Sequence, residues 1–195
     1  MRNSLTGIAL VGLLIAVPAV TSAQAPTRQD TAKESKDSKM ARGDAKFLKE
    51  AAGDNLAEVR LGELAGQRAA SDSVKQFGKR MATDHQKAYD ELKQIASQKG
   101  ITVPTELDRG HQRNYDRLSK LSGADFDRAY MKEMVKDHDK DVKAFRKEAD
   151  AGKDADVKAW ASKTLPTLQE HQQQAKQVAA SVRGKSSPAA SPAQK

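Results

Sequence analysis

Two heptapeptides, Met81–Lys87 (MATDHQK) and Met134–Lys140 (MVKDHDK), share the pattern M-x-x-D-H-x-K. The chain has only four histidines, and two of them lie in this repeat. An imidazole beside a carboxylate suits transition-metal chemistry: the ring supplies a neutral nitrogen ligand, and the carboxylate is either a further ligand or the acceptor that orients the ring. The same groups can instead form a buried polar network that sets helix register. Met81 and Met134, one turn before each histidine, add a thioether hint of copper, although methionines at helical spacing are also ordinary core filler. There is no cysteine, so thiolate sites, disulfides and a lipid-anchored amino terminus are excluded.

Other chemistries find little to stand on. The chain has no Gly-x-Ser-x-Gly, no His-Glu-x-x-His and no phosphate-cradling glycine loop. The Glu-x-x-His signature of di-iron bundles is missing too, since no glutamate has a histidine three positions later. The composition therefore leans away from an enzyme.

The residues that must position the Asp-His pairs are helical throughout. Between 43 and 183 Ala, Leu, Lys, Glu, Gln and Arg dominate, and β-branched runs are absent. The breaks predict four long helices, at about 44–69, 72–99, 124–151 and 154–182, with Gly100 stopping the second. "ITVPTELD" interrupts the pattern and opens a shorter helix, about 105–121. At ~1.5 Å per helical residue, the stretch 100–122 is long enough to return along the bundle. The second and third long helices then run parallel, which is the ferritin-like four-helix bundle with a short crossover helix. His85 and His138 lie about 13 and 14 residues into those helices, at one level.

Taking ~100° per residue, the inward lines can be read. The first helix presents Phe47, Ala51, Glu58, Leu61, Ala65 and Ala69. The second presents Val74, Phe77, Met81, His85 and Leu92, and the third Phe126, Tyr130, Met134, His138 and Phe145. The fourth presents Val157, Trp160, Leu168 and His171, and the crossover helix Leu107, His111, Leu118 and Leu121. All four histidines and Glu58 are thus expected inside. Burying them is costly unless they pair or bind something. The candidate ligands of a metal ion (Fe, Mn, Zn or Cu) are Glu58, His85, His138 and His171; Asp84, Asp137 and His111 are ring-orienting or alternative ligands. Glu58 is expected close to Asp84 and His85, and Gly62 to admit a close neighbour. His171 fits less well, offset from His138 by roughly 7 Å, with Pro166 expected to kink its helix.

Residues 1–23 read as a cleaved signal peptide: Arg2, an apolar run too short for a convincing membrane span, and small residues before Gln24. Residues 24–42 and 184–195 are rich in Ser, Lys, Ala, Pro and Gln and read as disordered tails around one domain, 43–183. The formal charge of the chain is +8, but 43–183 carries 26 basic against 23 acidic residues, interleaved as on solvated helix faces. No basic stripe is interleaved with aromatics, so nucleic acid is not an expected partner. The basic tails suit weak contact with anionic envelope surfaces. The sequence names no particular protein partner; an interaction module working through the tails is a third reading.

"LAEVRLGELA", "KRMATDHQKAYDELKQIA", "LDRGHQRNYDRLSKLSGADFDRAYMKEMVKDHDKDVKAF" and "LPTLQEH" resemble the bacterial family catalogued as domain of unknown function 4142, whose members are often labelled predicted outer membrane proteins. The resemblance covers about 45–180 and implies a ferritin-like helical fold in an exported protein. Glu58, Asp84, His85, His111, Tyr130, Asp137, His138 and His171 fall at positions of its pattern. It implies no activity. A hydrophilic helical chain does not fit a transmembrane barrel, so the expectation is a periplasmic protein, at most associated with the outer membrane. The leading expectation is a non-enzymatic envelope protein, linked to stress by family association, with a buried Asp/His/Glu cluster. The alternative is a metal-binding or metal-dependent redox protein built on that cluster.

Overall fold

The computed structural model describes residues 40–184. The expected signal peptide, nearly all of the basic segment 24–42 and the tail from 185 lie outside the described residues. Five helices follow in order: α1 (Arg42–Arg68), α2 (Asp72–Gln98), α3 (Arg109–Ser119), α4 (Gly123–Ala151) and α5 (Ala155–Gly184). Among the described residues there is no strand, only an isolated bridge between Ala69 and Gly123. The protein is an all-helical bundle, and no described helix is long and apolar enough to cross a membrane.

The long helices begin and end within about two residues of the positions read from the sequence. α2 stops where Gly100 turns left-handed (φ +66°). Ile101 N then donates to Ala96 O and Gly100 N to Ser97 O, satisfying the last carbonyls of the helix. α3 starts later than expected, at Arg109 rather than near 105. Pro104 disfavours helical backbone at Val103, and Tyr89 Oη donates to the Pro104 carbonyl at 2.8 Å, pinning the segment against α2. The cap is Asp108, whose Oδ1 accepts from Gly110 N and His111 N. α5 continues through Pro166.

α1 packs along α2 and α4 along α5; α1 also meets α4, α2 meets α5, and α3 lies against α1 and α4. Phe77 contacts Tyr130 with ring centroids 6.3 Å apart, and His85 contacts His138 at 5.5 Å. Residue numbers rise together along both helices, so α2 and α4 run in the same direction, as the 23-residue return predicts.

Two buried aspartates fix the level of one hairpin against the other. Asp127 of α4 accepts from Ala70 N and Ser71 N in the α1–α2 turn, at 3.1 and 2.9 Å. Asp44 of α1 accepts from Lys153 N and Asp154 N in the α4–α5 turn, at 3.0 and 2.6 Å. Each carboxylate satisfies amides of the turn that leads into a helix, and its charge is favoured beside that helix N-terminus.

α1 and α2 approach so closely that only glycine fits at their crossing. A Cβ on Gly62 would lie 2.4 Å from the Gly78 carbonyl oxygen and 2.8 Å from Ala82 N. Both obstacles are backbone, so the helices must separate. Gly62→Ala is expected to lower stability by about 1–3 kcal/mol, the usual cost of overpacking, measurable by urea denaturation.

The interior is layered along the bundle axis. One apolar cluster joins Leu61, Phe77, Met81, Leu118, Tyr130 and Met134 with Ala175 and Val182. The other joins Phe47, Leu92, Phe145, Trp160 and Leu168, with the Phe47, Phe145 and Trp160 rings 5.0–6.0 Å apart. In each long helix the segment between the clusters is polar: Asn55 and Glu58, His85, His138, His171.

Candidate metal centre

His85, His138 and His171 meet in that polar layer. They are 3%, 0% and 1% exposed, and their ring centroids lie 5.3–5.5 Å apart pairwise. One nitrogen of each ring lies within 4.8 Å of the other two.

The outward-facing hydrogen bonds set the tautomers. His85 Nδ1 is 2.9 Å from Asn55 Oδ1. The Asn55 amide nitrogen is already given to Ala51 O, so its oxygen accepts and His85 Nδ1 donates. His138 Nδ1 donates to the Met134 carbonyl at 2.9 Å. His171 Nε2 donates to Asp84 Oδ2 at 2.8 Å, and Arg80 Nε holds that same carboxylate oxygen at 3.2 Å. Each ring therefore carries its proton on the bonded nitrogen. The lone pairs left over are on His85 Nε2, His138 Nε2 and His171 Nδ1, all buried and without a hydrogen-bond partner.

Burial and mutual proximity keep these rings neutral. His85 is held well below the ordinary imidazole range by burial and by the two other histidines. His138 falls to about 4, mainly through burial. His171 is also lowered by burial, the bond to Asp84 working in the opposite direction. Neutral imidazole is the form that binds metal. In a tetrahedral site with Zn–N near 2.05 Å the ligand nitrogens stand about 3.3 Å apart, so rings already within 4.8 Å need only small movements to close on an ion.

The other expected site residues are placed differently. His171, expected to be offset, is a full member of the group. Glu58 is 2% exposed but does not join the histidines; it lines a small cavity with Asp54, Asp137, Asp141 and His111. There burial and the charges of Asp137, Asp141 and Asp54 push its carboxyl well above the usual range. His111 is half-buried rather than in the core. Its Nε2 lies 3.1 Å from Asp54 and its Nδ1 3.1 Å from Asp108, and the Asp54 bond raises its pKa.

The two Asp-His pairs are alike in sequence and unlike in use. Successive helical residues point about 100° apart, so neither aspartate faces its own histidine. Asp84 reaches across to α5 and His171. Asp137, on the parallel helix opposite, is turned toward the α1 side and Glu58, and its carboxyl rises to about 6 through burial and Glu133. Asn55, Asp54 and Asp141 were not singled out from sequence. Asn55 had one usable signal, a poor helix former one turn from Ala51 and Glu58 on the inward line.

These features define an all-helical bundle with a buried three-histidine centre. The chain belongs to the family described as "Domain of unknown function (DUF4142)", whose model matches residues 29–178. Among solved structures, the crystal structure of a DUF305 fragment from Deinococcus radiodurans is similar, with a TM-score of 0.64 at 13% identity. The match covers 73% of this chain and 99% of that one, and the likeness is one of fold alone. No curated protein matches the chain.

Proposed function

We propose that this protein is a periplasmic, ferritin-like four-helix bundle that holds one transition-metal ion on His85 Nε2, His138 Nε2 and His171 Nδ1. One observation carries the reading: three buried rings stand together, each hydrogen-bonded through one nitrogen to a group outside the trio and each with its other nitrogen buried and unpartnered. A self-sufficient polar network would pair the rings with each other or with Glu58, and these rings do neither. The parallel course of α2 and α4, joined by the long connection through α3, supports the ferritin-like arrangement.

Three neutral imidazoles without a thiolate suit zinc or copper best; manganese prefers carboxylates. Three protein ligands leave a coordination position open on the ion. Rings 0–3% exposed exclude a substrate of any size, which favours holding an ion, within the envelope, over turnover. Asp84 and Asn55 orient rings, and Asp84 also brings negative charge beside the ion.

The test is metal analysis of the full chain purified without a histidine tag from periplasm, followed by titration of the metal-free protein with zinc and copper. About one equivalent per chain supports the reading, and no binding of either ion removes it. Asp84→Asn keeps an acceptor oxygen but loses the charge that polarises His171. Such outer partners are worth roughly 10–100-fold in metal affinity, so that loss is expected in a chelator competition assay.

A further inference from the structure

We propose a second cation site, of the oxygen-ligating kind, in the small cavity between α1, α3 and α4, where Glu58, Asp54, Asp137 and Asp141 converge beside the Asn114 amide. Its occupant is a hard divalent ion such as calcium. This inference does not rest on the histidine centre.

Glu58 lines the cavity, is 2% exposed, and has its Oε2 buried without a hydrogen-bond partner. A buried carboxyl with an unsatisfied oxygen is costly, and here it lines a space of about 40 Å³, room for one ion with a water. Asp141, 5% exposed, stands beside it. Four carboxyls around so small a space repel one another. Burial and Asp54 push Asp141 up to about 8, and Glu58 moves the same way. Asp141 therefore holds a proton at neutral pH, which a divalent ion would displace.

Lys140 already acts as a cation at the mouth. Its Nζ lies 3.1 and 3.3 Å from the two Asp54 oxygens. Its side chain is 64% exposed, so it can swing outward and free Asp54 Oδ2 for an incoming ion, while His111 Nε2 keeps its contact with Oδ1. His111 also lines the cavity, but its two nitrogens are held at 3.1 Å by Asp54 and Asp108, and Asn114 Oδ1 accepts from Arg117, so the donors left for an ion are carboxyl oxygens. That set suits calcium, which takes six to eight oxygens and tolerates irregular geometry, and it suits zinc and copper poorly.

Calorimetric titration of the chelator-treated full chain with calcium chloride tests this. One calcium per chain is expected, bound with a dissociation constant below about 1 mM, with protons released at pH 7. The His85→Ala/His138→Ala variant is expected to bind calcium as before, which separates this site from the histidine centre. Glu58→Gln/Asp141→Asn removes two ligand charges and is expected to weaken binding by about a hundredfold or more. Asp141→Asn alone serves if the double variant does not fold, with a smaller loss of at least about tenfold. No calcium binding up to about 10 mM, ten times the weak end of known protein sites, would overturn the proposal. Binding unchanged in the carboxylate variants would overturn it equally, because the ion would then sit elsewhere.

Discussion

Replacing His138 by alanine is expected to weaken zinc or copper binding by at least about a hundredfold. Structural zinc sites contribute roughly 10–16 kcal/mol over four ligands, or about 3 kcal/mol for each, and every 1.4 kcal/mol is tenfold. His85→Ala and His171→Ala are expected to match it, because each ring supplies one unpartnered nitrogen. His111→Ala and Glu58→Gln are the informative controls. Both residues were candidate ligands from sequence, both lie at the cavity beside α3, and neither change is expected to move zinc affinity by more than a few-fold. A chelator competition assay on variants shown to be folded by circular dichroism measures all five. Equal losses from His111→Ala and His138→Ala would mean that the three-ring centre is not the binding site.

The second large effect is on stability. Asp141→Asn is expected to make the metal-free protein more stable in mild alkali and to flatten its pH profile. In the folded protein Asp141 keeps its proton to about pH 8, from an ordinary value of 3.8. The folded state then binds more protons than the unfolded chain between those limits, so stability falls as pH rises from 3.8 to 8. The buried histidines act with the opposite sign. His138 titrates near 4 against an ordinary 6.5, so its contribution is complete above 6.5 and is lost as pH falls to 4; His85 and His171 follow the same direction. The two slopes oppose each other below pH 6.5. Above it the carboxyl slope remains, joined by His111, which is raised from 6.5; Glu58, also raised, acts in the same direction as Asp141. One proton over 1.5 pH units corresponds to about 2 kcal/mol. Urea denaturation at pH 6.5 and 8 should show that decline shrink by about this amount in Asp141→Asn. An unchanged decline would mean that Asp141 ionises normally in the fold.

Much of this molecule was legible in the sequence because helix periodicity carries it. The five helices, the Gly100 stop, the close approach at Gly62 and the common level of His85 and His138 all follow from spacing. The reading failed where side-chain direction matters more than backbone level. His171 was counted as offset from His138 on the assumption that side chains stand level with their own Cα. Helical side chains lean toward the N-terminus of their helix. On antiparallel α4 and α5, that moves His138 away from the connecting turn and His171 toward it, closing the gap. Glu58 was expected beside His85, yet Asn55, one turn away on the same face, is its partner. An uncharged amide carried little metal-ligand signal beside a glutamate. The division of labour between Asp84 and Asp137 was not readable either. The two heptapeptides are alike, and only the arrangement of α1 and α5 around α2 and α4 decides which neighbour each aspartate meets.

The most direct measurement is anomalous diffraction from crystals of the zinc-loaded full chain. The account predicts a single strong zinc peak in the middle layer of the bundle, with His85 Nε2, His138 Nε2 and His171 Nδ1 each at about 2.0–2.1 Å. A peak held by surface carboxylates, or by His111 and Asp54, with the three core rings left uncoordinated, would contradict it.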